Sequence, residues 1–121
     1  MDAVDENVPF IMVSHISLPN ITGDNTPASL SKKIMNDFLR EELKYKGIII
    51  TDALDMGAIN NHYSINEAVK MSFNAGADML LITTDFKGAY ASFVEAVKSG
   101  EISQERLDES LKRILALKLN N

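Results

Sequence analysis

The chain has 121 residues, 45% hydrophobic and 24% charged, a balance that excludes wholesale disorder and fits one globular domain. Twelve basic against seventeen acidic side chains give −5, interspersed along the chain, which argues for solubility and against a nucleic-acid partner. The absence of cysteine excludes disulfides, thiolate catalysis and cysteine-ligated zinc, and no apolar run approaches the roughly 20 residues that cross a bilayer.

In chain order, the start is acidic (Met1-Asp2-Ala3-Val4-Asp5-Glu6), so no secretion signal is expected there, and the compartment stays open. Val8 to Val13 is the first expected strand. Ser29 to Lys44 follows as a helix, with Ile34, Met35, Phe38, Leu39 and Leu43 on one stripe and Gly47 just beyond. Gly47 to Thr51 is the second strand, and its three consecutive isoleucines fit a strand buried on both faces. Ser64 to Asn74 opens on Ser64-Ile65-Asn66-Glu67, the pattern of a capping box, and turns Ala68, Val69 and Phe73 inward. Asp78 to Thr83 is the third strand. Phe86 to Lys98 carries Tyr90, Phe93, Val94 and Val97 on one face and stops at Gly100. Ser103 is expected to cap a last helix bearing Leu107, Leu111, Ile114, Leu115 and Lys118. The order β-α-β-α-β-α-α predicts an α/β fold with parallel strands.

The longest non-periodic segments, Ser14 to Ala28 and Asp52 to Tyr63, each follow a strand, and in parallel α/β folds such loops carry the chemistry. The strands end in Ser14-His15, in Thr51-Asp52 and in Thr83-Thr84-Asp85, which parallel strands would bring to one rim. A carboxylate, an imidazole and hydroxyls there suit polyol binding or acid/base work, although polar residues also mark where strands leave a core. Asp52 is the sharpest candidate. It sits at the mouth of a buried strand, rigid and partly desolvated, as a nucleophile or a stabiliser of positive charge must be, and it is equally the residue type that opens a loop. Asp55 lies three residues on, but two carboxylates without a histidine are a poor metal set, and no metal is expected.

The stretch Gly47-Ile48-Ile49-Ile50-Thr51-Asp52-Ala53-Leu54-Asp55-Met56-Gly57-Ala58-Ile59 resembles the nucleophile segment of glycoside hydrolase family 3. Upstream, Ile11-Met12-Val13-Ser14-His15-Ile16, Pro19, Asp24 and Pro27-Ala28-Ser29-Leu30-Ser31 resemble that family's preceding βα unit. Ala75-Gly76-Ala77-Asp78-Met79-Leu80-Leu81 resembles its final strand, and Glu105 to Leu115 its closing helix. The Pro-Ala-Ser-Leu-Ser segment is similar to the β-N-acetylglucosaminidase, or β-hexosaminidase, branch.

The resemblance implies a retaining glycosidase acting on terminal β-linked N-acetylglucosamine, as in peptidoglycan fragments, with Asp52 as nucleophile and no cofactor. His15 and Met56 would border the sugar, although His15 could instead order its own loop and Met56 could instead pack beneath the loop. His62 is expected to be a solvated loop residue. A whole (β/α)8 TIM barrel takes roughly 250 residues, so residues 1–121 are expected to be one C-terminal piece of a partial barrel, resembling its sixth to eighth βα units. The branch's His-Asp acid/base segment and upstream sugar ligands are not in this sequence, so the chain alone is expected to be inactive. The competing readings are a small α/β interaction module in which Asp52 is only a loop acid, and a half-barrel that assembles with itself or with its N-terminal part. Besides a carbohydrate, then, the expected partner is another chain. Open sheet edges, and a face uncovering several of Ile11, Val13, Ile48, Ile50, Leu80 and Ile82, would drive self-association, whereas membrane and nucleic acid are not expected.

Overall fold

The computed structural model describes residues 8–55 and 57–119. The two apolar runs expected first form β1 (Phe10–Val13) and β2 (Ile48–Thr51), paired in parallel with Phe10 opposite Ile48 and Val13 opposite Thr51. The expected third strand shrinks to a single parallel bridge, Ile50 to Met79. Its backbone does run beside β2, with Asp78 N–H donating to the Ile49 carbonyl (2.8 Å) and Thr51 N–H to the Met79 carbonyl (3.1 Å). The ladder then fails because side chains capture its donors. Thr51 Oγ1 accepts from Leu81 N–H at 3.3 Å, and Asp55 accepts from Thr83 N–H.

Both non-periodic loops contain short helices that periodicity does not reveal, α1 (Pro19–Thr22) in the first and α3 (Gly57–Asn60) in the second. The helix expected from Ser29 is split. Ala28 N–H and Ser29 N–H are drawn to the carbonyls of Ile16 and Ser14, which pins Ala28–Leu30 as a 3₁₀ turn against the loop after β1. Ser31 is extended, and its hydroxyl accepts from Ile34 N–H at the start of α2 (Lys33–Glu42). α2 is wound wide, with Leu43 N–H reaching back five residues to Phe38 O. Gly47 enters β2 where any Cβ would collide with the Tyr45 ring and the Val8 carbonyl.

The remaining helices follow local chemistry. Ser64 and Glu67 make the expected reciprocal cap on α4 (Ile65–Ala75). Asp85 caps α5 (Phe86–Ser99), and Gly100 closes it in the left-handed region at φ 86°. The Ser103 hydroxyl caps α6 (Gln104–Leu119) by accepting from Arg106 N–H at 3.1 Å.

Val13 and Ile49 pack with Met35, Leu39 and Ala77 beneath α2, with Ile11 partly buried against them. Leu54, Ile59, Ala68 and Val69 form a second cluster with α4, and Ile82 packs on it. Phe73 and Ile102 form a third, with Phe93 edge-on to Phe73 at 4.9 Å. Strand parity corrects part of one expectation. Ile11, Val13, Leu80 and Ile82 face the helices, whereas Ile48, buried, and Ile50, half-buried, lie on the opposite side with Phe10 and Met12. The exposed apolar residues of that side are Phe10, Met12, Met79 and Leu81, with Met12 57% exposed. Tyr90, expected on one face with Phe93, Val94 and Val97, is 63% exposed and stacks on Phe86, while Ala89 and Ala96 fill the inner face of α5. On α6, Leu111 and Leu115 remain exposed.

Candidate active site

Asp52 is the first residue beyond β2. Its N–H donates to the Val13 carbonyl at 3.0 Å, so both strands fix its backbone. The half-buried carboxylate accepts from Ala53 N–H at 2.8 Å through Oδ1. Oδ2 takes no hydrogen bond from the described residues.

His15 lies two residues beyond β1 and uses both ring nitrogens. Nε2 faces the Ala53 carbonyl at 2.7 Å and must donate to it. Nδ1, 2.6 Å from Ser29 Oγ, then accepts the hydroxyl proton in the neutral ring. The imidazole therefore staples the loop after β1, the 3₁₀ turn and the backbone next to Asp52. Ser29, fully buried, was not singled out from sequence as a partner. The signal available was its place in Pro-Ala-Ser-Leu-Ser, a serine amid residues destined for the core.

Asp55 is a latch between two loops. It accepts from the hydroxyls of Thr84 (2.6 Å) and Thr83 (2.8 Å) and from both their N–H groups, which ties the loop after β2 to the segment after Met79. The Thr84 hydroxyl, followed by Thr83 and the two backbone donors, holds the carboxyl well below the usual carboxylate range. A depressed folded value contributes stability that is fully present above the ordinary value of 3.8 and is lost as pH falls through the folded value. Asp55→Asn is therefore expected to flatten the acid limb of the stability curve, measured as the urea midpoint at a series of pH values. An unchanged acid limb would remove Asp55 from this role.

His15, Asp52 and the Thr83-Thr84 segment thus lie at one edge, where the strands end. Asp85 does not join them in chemistry, because its Oδ1 is taken by Gly88 N–H at 3.0 Å. Beside His15 opens a polar cavity of about 720 Å³, walled by Ser17, Asp24, Thr26, His62 and Tyr63 among others. Hydrogen bonds from Thr26 hold the Asp24 carboxyl below the ordinary range. His62 is exposed at its rim, and Asp52 is not among the lining residues. Met56 lies outside the described residues.

At the other end of the strands is a buried charge cluster that sequence reasoning did not find. Asp78, its side chain fully buried, pairs with Arg40 and with Arg113 (2.8 Å), and accepts from Ser110 Oγ (2.6 Å) and Ile49 N–H (3.0 Å). Arg106 spans the Phe73 and Ala77 carbonyls and lies over the Phe73 ring at 4.2 Å. The one hint in the sequence was an aspartate opening an apolar run.

Comparison with known proteins gives a consistent picture. The family model "Glycosyl hydrolase family 3 N terminal domain" matches residues 1–117. A β-N-acetylglucosaminidase/β-glucosidase of Cellulomonas fimi is 31% identical over 96% of the chain, which spans 22% of that protein. β-Hexosaminidase A of Pseudoalteromonas piscicida is 34% identical over 89% of the chain, or 21% of that protein. The solved structure of a family 3 β-N-acetylglucosaminidase from Paenibacillus sp. str. FPU-7 overlays at TM-score 0.93 with 37% identity, covering 98% of this chain and 23% of that one. The chain thus spans about a fifth of the length of these relatives. No helix among the described residues is long and apolar enough to cross a membrane.

Proposed function

Because the chain belongs to glycosyl hydrolase family 3, we propose that it is the C-terminal part of a (β/α)8 catalytic barrel, and that Asp52 is the nucleophile of a retaining hydrolase acting on terminal β-linked N-acetylglucosamine. The observation that carries the reading is the Asp52 carboxylate at the mouth of β2. One oxygen is held by Ala53 N–H and the other is without a donor among the described residues. Oδ2 attacks the anomeric carbon as the leaving oxygen takes a proton from an acid about 5–5.5 Å away. The covalent glycosyl ester is then hydrolysed by a water that the same acid, now a base, deprotonates. In this reading the acid comes from the N-terminal part of the barrel.

His15 is a wall of the sugar site and a positioning residue, since it holds the Ala53 backbone that in turn holds Asp52. The N-acetylglucosamine preference is supported by the Cellulomonas, Pseudoalteromonas and Paenibacillus relatives, a β-N-acetylglucosaminidase/β-glucosidase, a β-hexosaminidase and a β-N-acetylglucosaminidase. The exposed face of Phe10, Met12, Met79 and Leu81 is where the rest of the barrel packs, and in its absence a second copy covers that face.

The test is a graft in which residues 8–119 replace the corresponding segment of the Paenibacillus enzyme. The grafted enzyme is expected to hydrolyse a chromogenic β-N-acetylglucosaminide. The 121-residue chain alone, deprived of a general acid worth roughly 10²–10⁴-fold, is expected to be inert and to sediment as more than a monomer. A grafted enzyme that folds yet does not turn over, or a free chain as fast as the graft, would overturn the reading.

A further inference from the structure

A second cavity, of about 230 Å³, lies at the end of the strands opposite Asp52, between α2 and α6. Its wall carries four cations, Lys32, Arg40, Arg106 and Arg113, against the single carboxylate of Glu109. With Asp78 behind the wall, four positive charges face two negative ones, a local surplus of two in a chain whose net charge is −5.

The donors of this wall are not used up. Arg106 directs its hydrogen bonds to the Phe73 and Ala77 carbonyls and the Ser110 hydroxyl, all uncharged. The Arg40 side chain is 8% exposed, and its buried Nε has no hydrogen-bond partner. The second guanidinium nitrogen of Arg113 is 4.0 Å from Glu109, beyond hydrogen-bond reach. Lys32 is exposed at the mouth and has no ion-pair partner among the described residues. Burial pushes the pKa values of Arg40 and Arg106 down, and the charge of Arg113 adds to this while Asp78 opposes it. Such concentrated positive charge is relieved most directly by a bound anion.

We propose that this cavity is a binding site for a small tetrahedral oxyanion of the inorganic phosphate class. Guanidinium groups match such an ion through paired hydrogen bonds, and Lys32 supplies a point charge from the mouth. At about 30 Å³ per water, the cavity holds one such ion with a few waters around it. The site stands apart from the glycosidase reading, because it uses no residue at the Asp52 end of the strands.

The experiment is calorimetric titration of inorganic phosphate into the 121-residue chain at constant ionic strength, with chloride as the balancing anion. Saturable binding of one phosphate per chain is expected. Lys32→Glu is expected to weaken it about tenfold, the loss of one charge-assisted hydrogen bond, and Lys32→Gln by less. Lys87→Glu makes the same charge change on exposed α5 and is expected to stay within about twofold of the parent. Circular dichroism checks that each variant is folded. Absence of saturation, or equal weakening by Lys32→Glu and Lys87→Glu, would overturn the site. Neither result bears on turnover by the grafted enzyme.

Discussion

In the grafted barrel, Asp52→Asn is expected to lower kcat on an aryl β-N-acetylglucosaminide by at least about 10³-fold, while KM changes by less than about threefold. Asparagine has the same shape and still offers an oxygen to Ala53 N–H, so the loop and its His15 staple persist. What disappears is the negative charge and, in the proposed mechanism, the lone pair that would form the ester. About 10³-fold corresponds to roughly 4 kcal/mol of transition-state stabilisation, which loss of an attacking carboxylate readily exceeds. Asp52→Gly adds a diagnostic: azide entering the vacated space attacks from the same face and leaves as a glycosyl azide of inverted anomeric configuration. An Asp52→Asn enzyme retaining a tenth of its activity would assign Asp52 a loop role only.

The largest effect on stability is expected at Asp78. Asp78→Ala strips the buried partner from Arg40 and Arg113 and the acceptor from Ser110 Oγ and Ile49 N–H. Breaking one side of a buried ion pair costs about 3–5 kcal/mol, because a charge is left uncompensated in the interior. Against a typical total of about 5–15 kcal/mol, that loss brings the chain close to unfolding at room temperature. Arg113→Ala should cost much less, since its side chain is 25% exposed and water can replace it at the carboxylate. Urea midpoints for the two variants test the pair. An Asp78→Ala shift below about 1 kcal/mol would mean that the cluster is solvated in solution.

What the sequence made legible was local. The apolar runs of β1 and β2 and the Ser64/Glu67 capping box each depend on residues close in the chain, and each formed. The third run looked like β2 in composition, yet only Met79 bridges, because Thr51 Oγ1 and Asp55 compete for its backbone donors. No periodicity records that competition. The uncovered face was misplaced in part for a similar reason: Ile48 and Ile50 do share the side of Phe10 and Met12, but β1 and the third run are apolar at every position, so nothing in them showed that Ile11, Val13, Leu80 and Ile82 meet the helices. Thr51-Asp52 stood out at a strand end, whereas the two bonds of His15 join residues 14 and 38 positions away and left no local trace.

The spacing within the Asp78 cluster has a consequence for synthesis. Arg40 precedes Asp78 by 38 residues, and Arg113 follows it by 35. At about 5–20 residues per second, the ribosome adds the 35 residues from Asp78 to Arg113 over roughly 2–7 s. Through that interval the nascent chain holds a carboxylate with one of its two cations not yet made, because the segment that delivers Ser110 and Arg113 is still being added. α6 is therefore the clasp, and a chain that stops before Arg113 is added is one a protease can still enter.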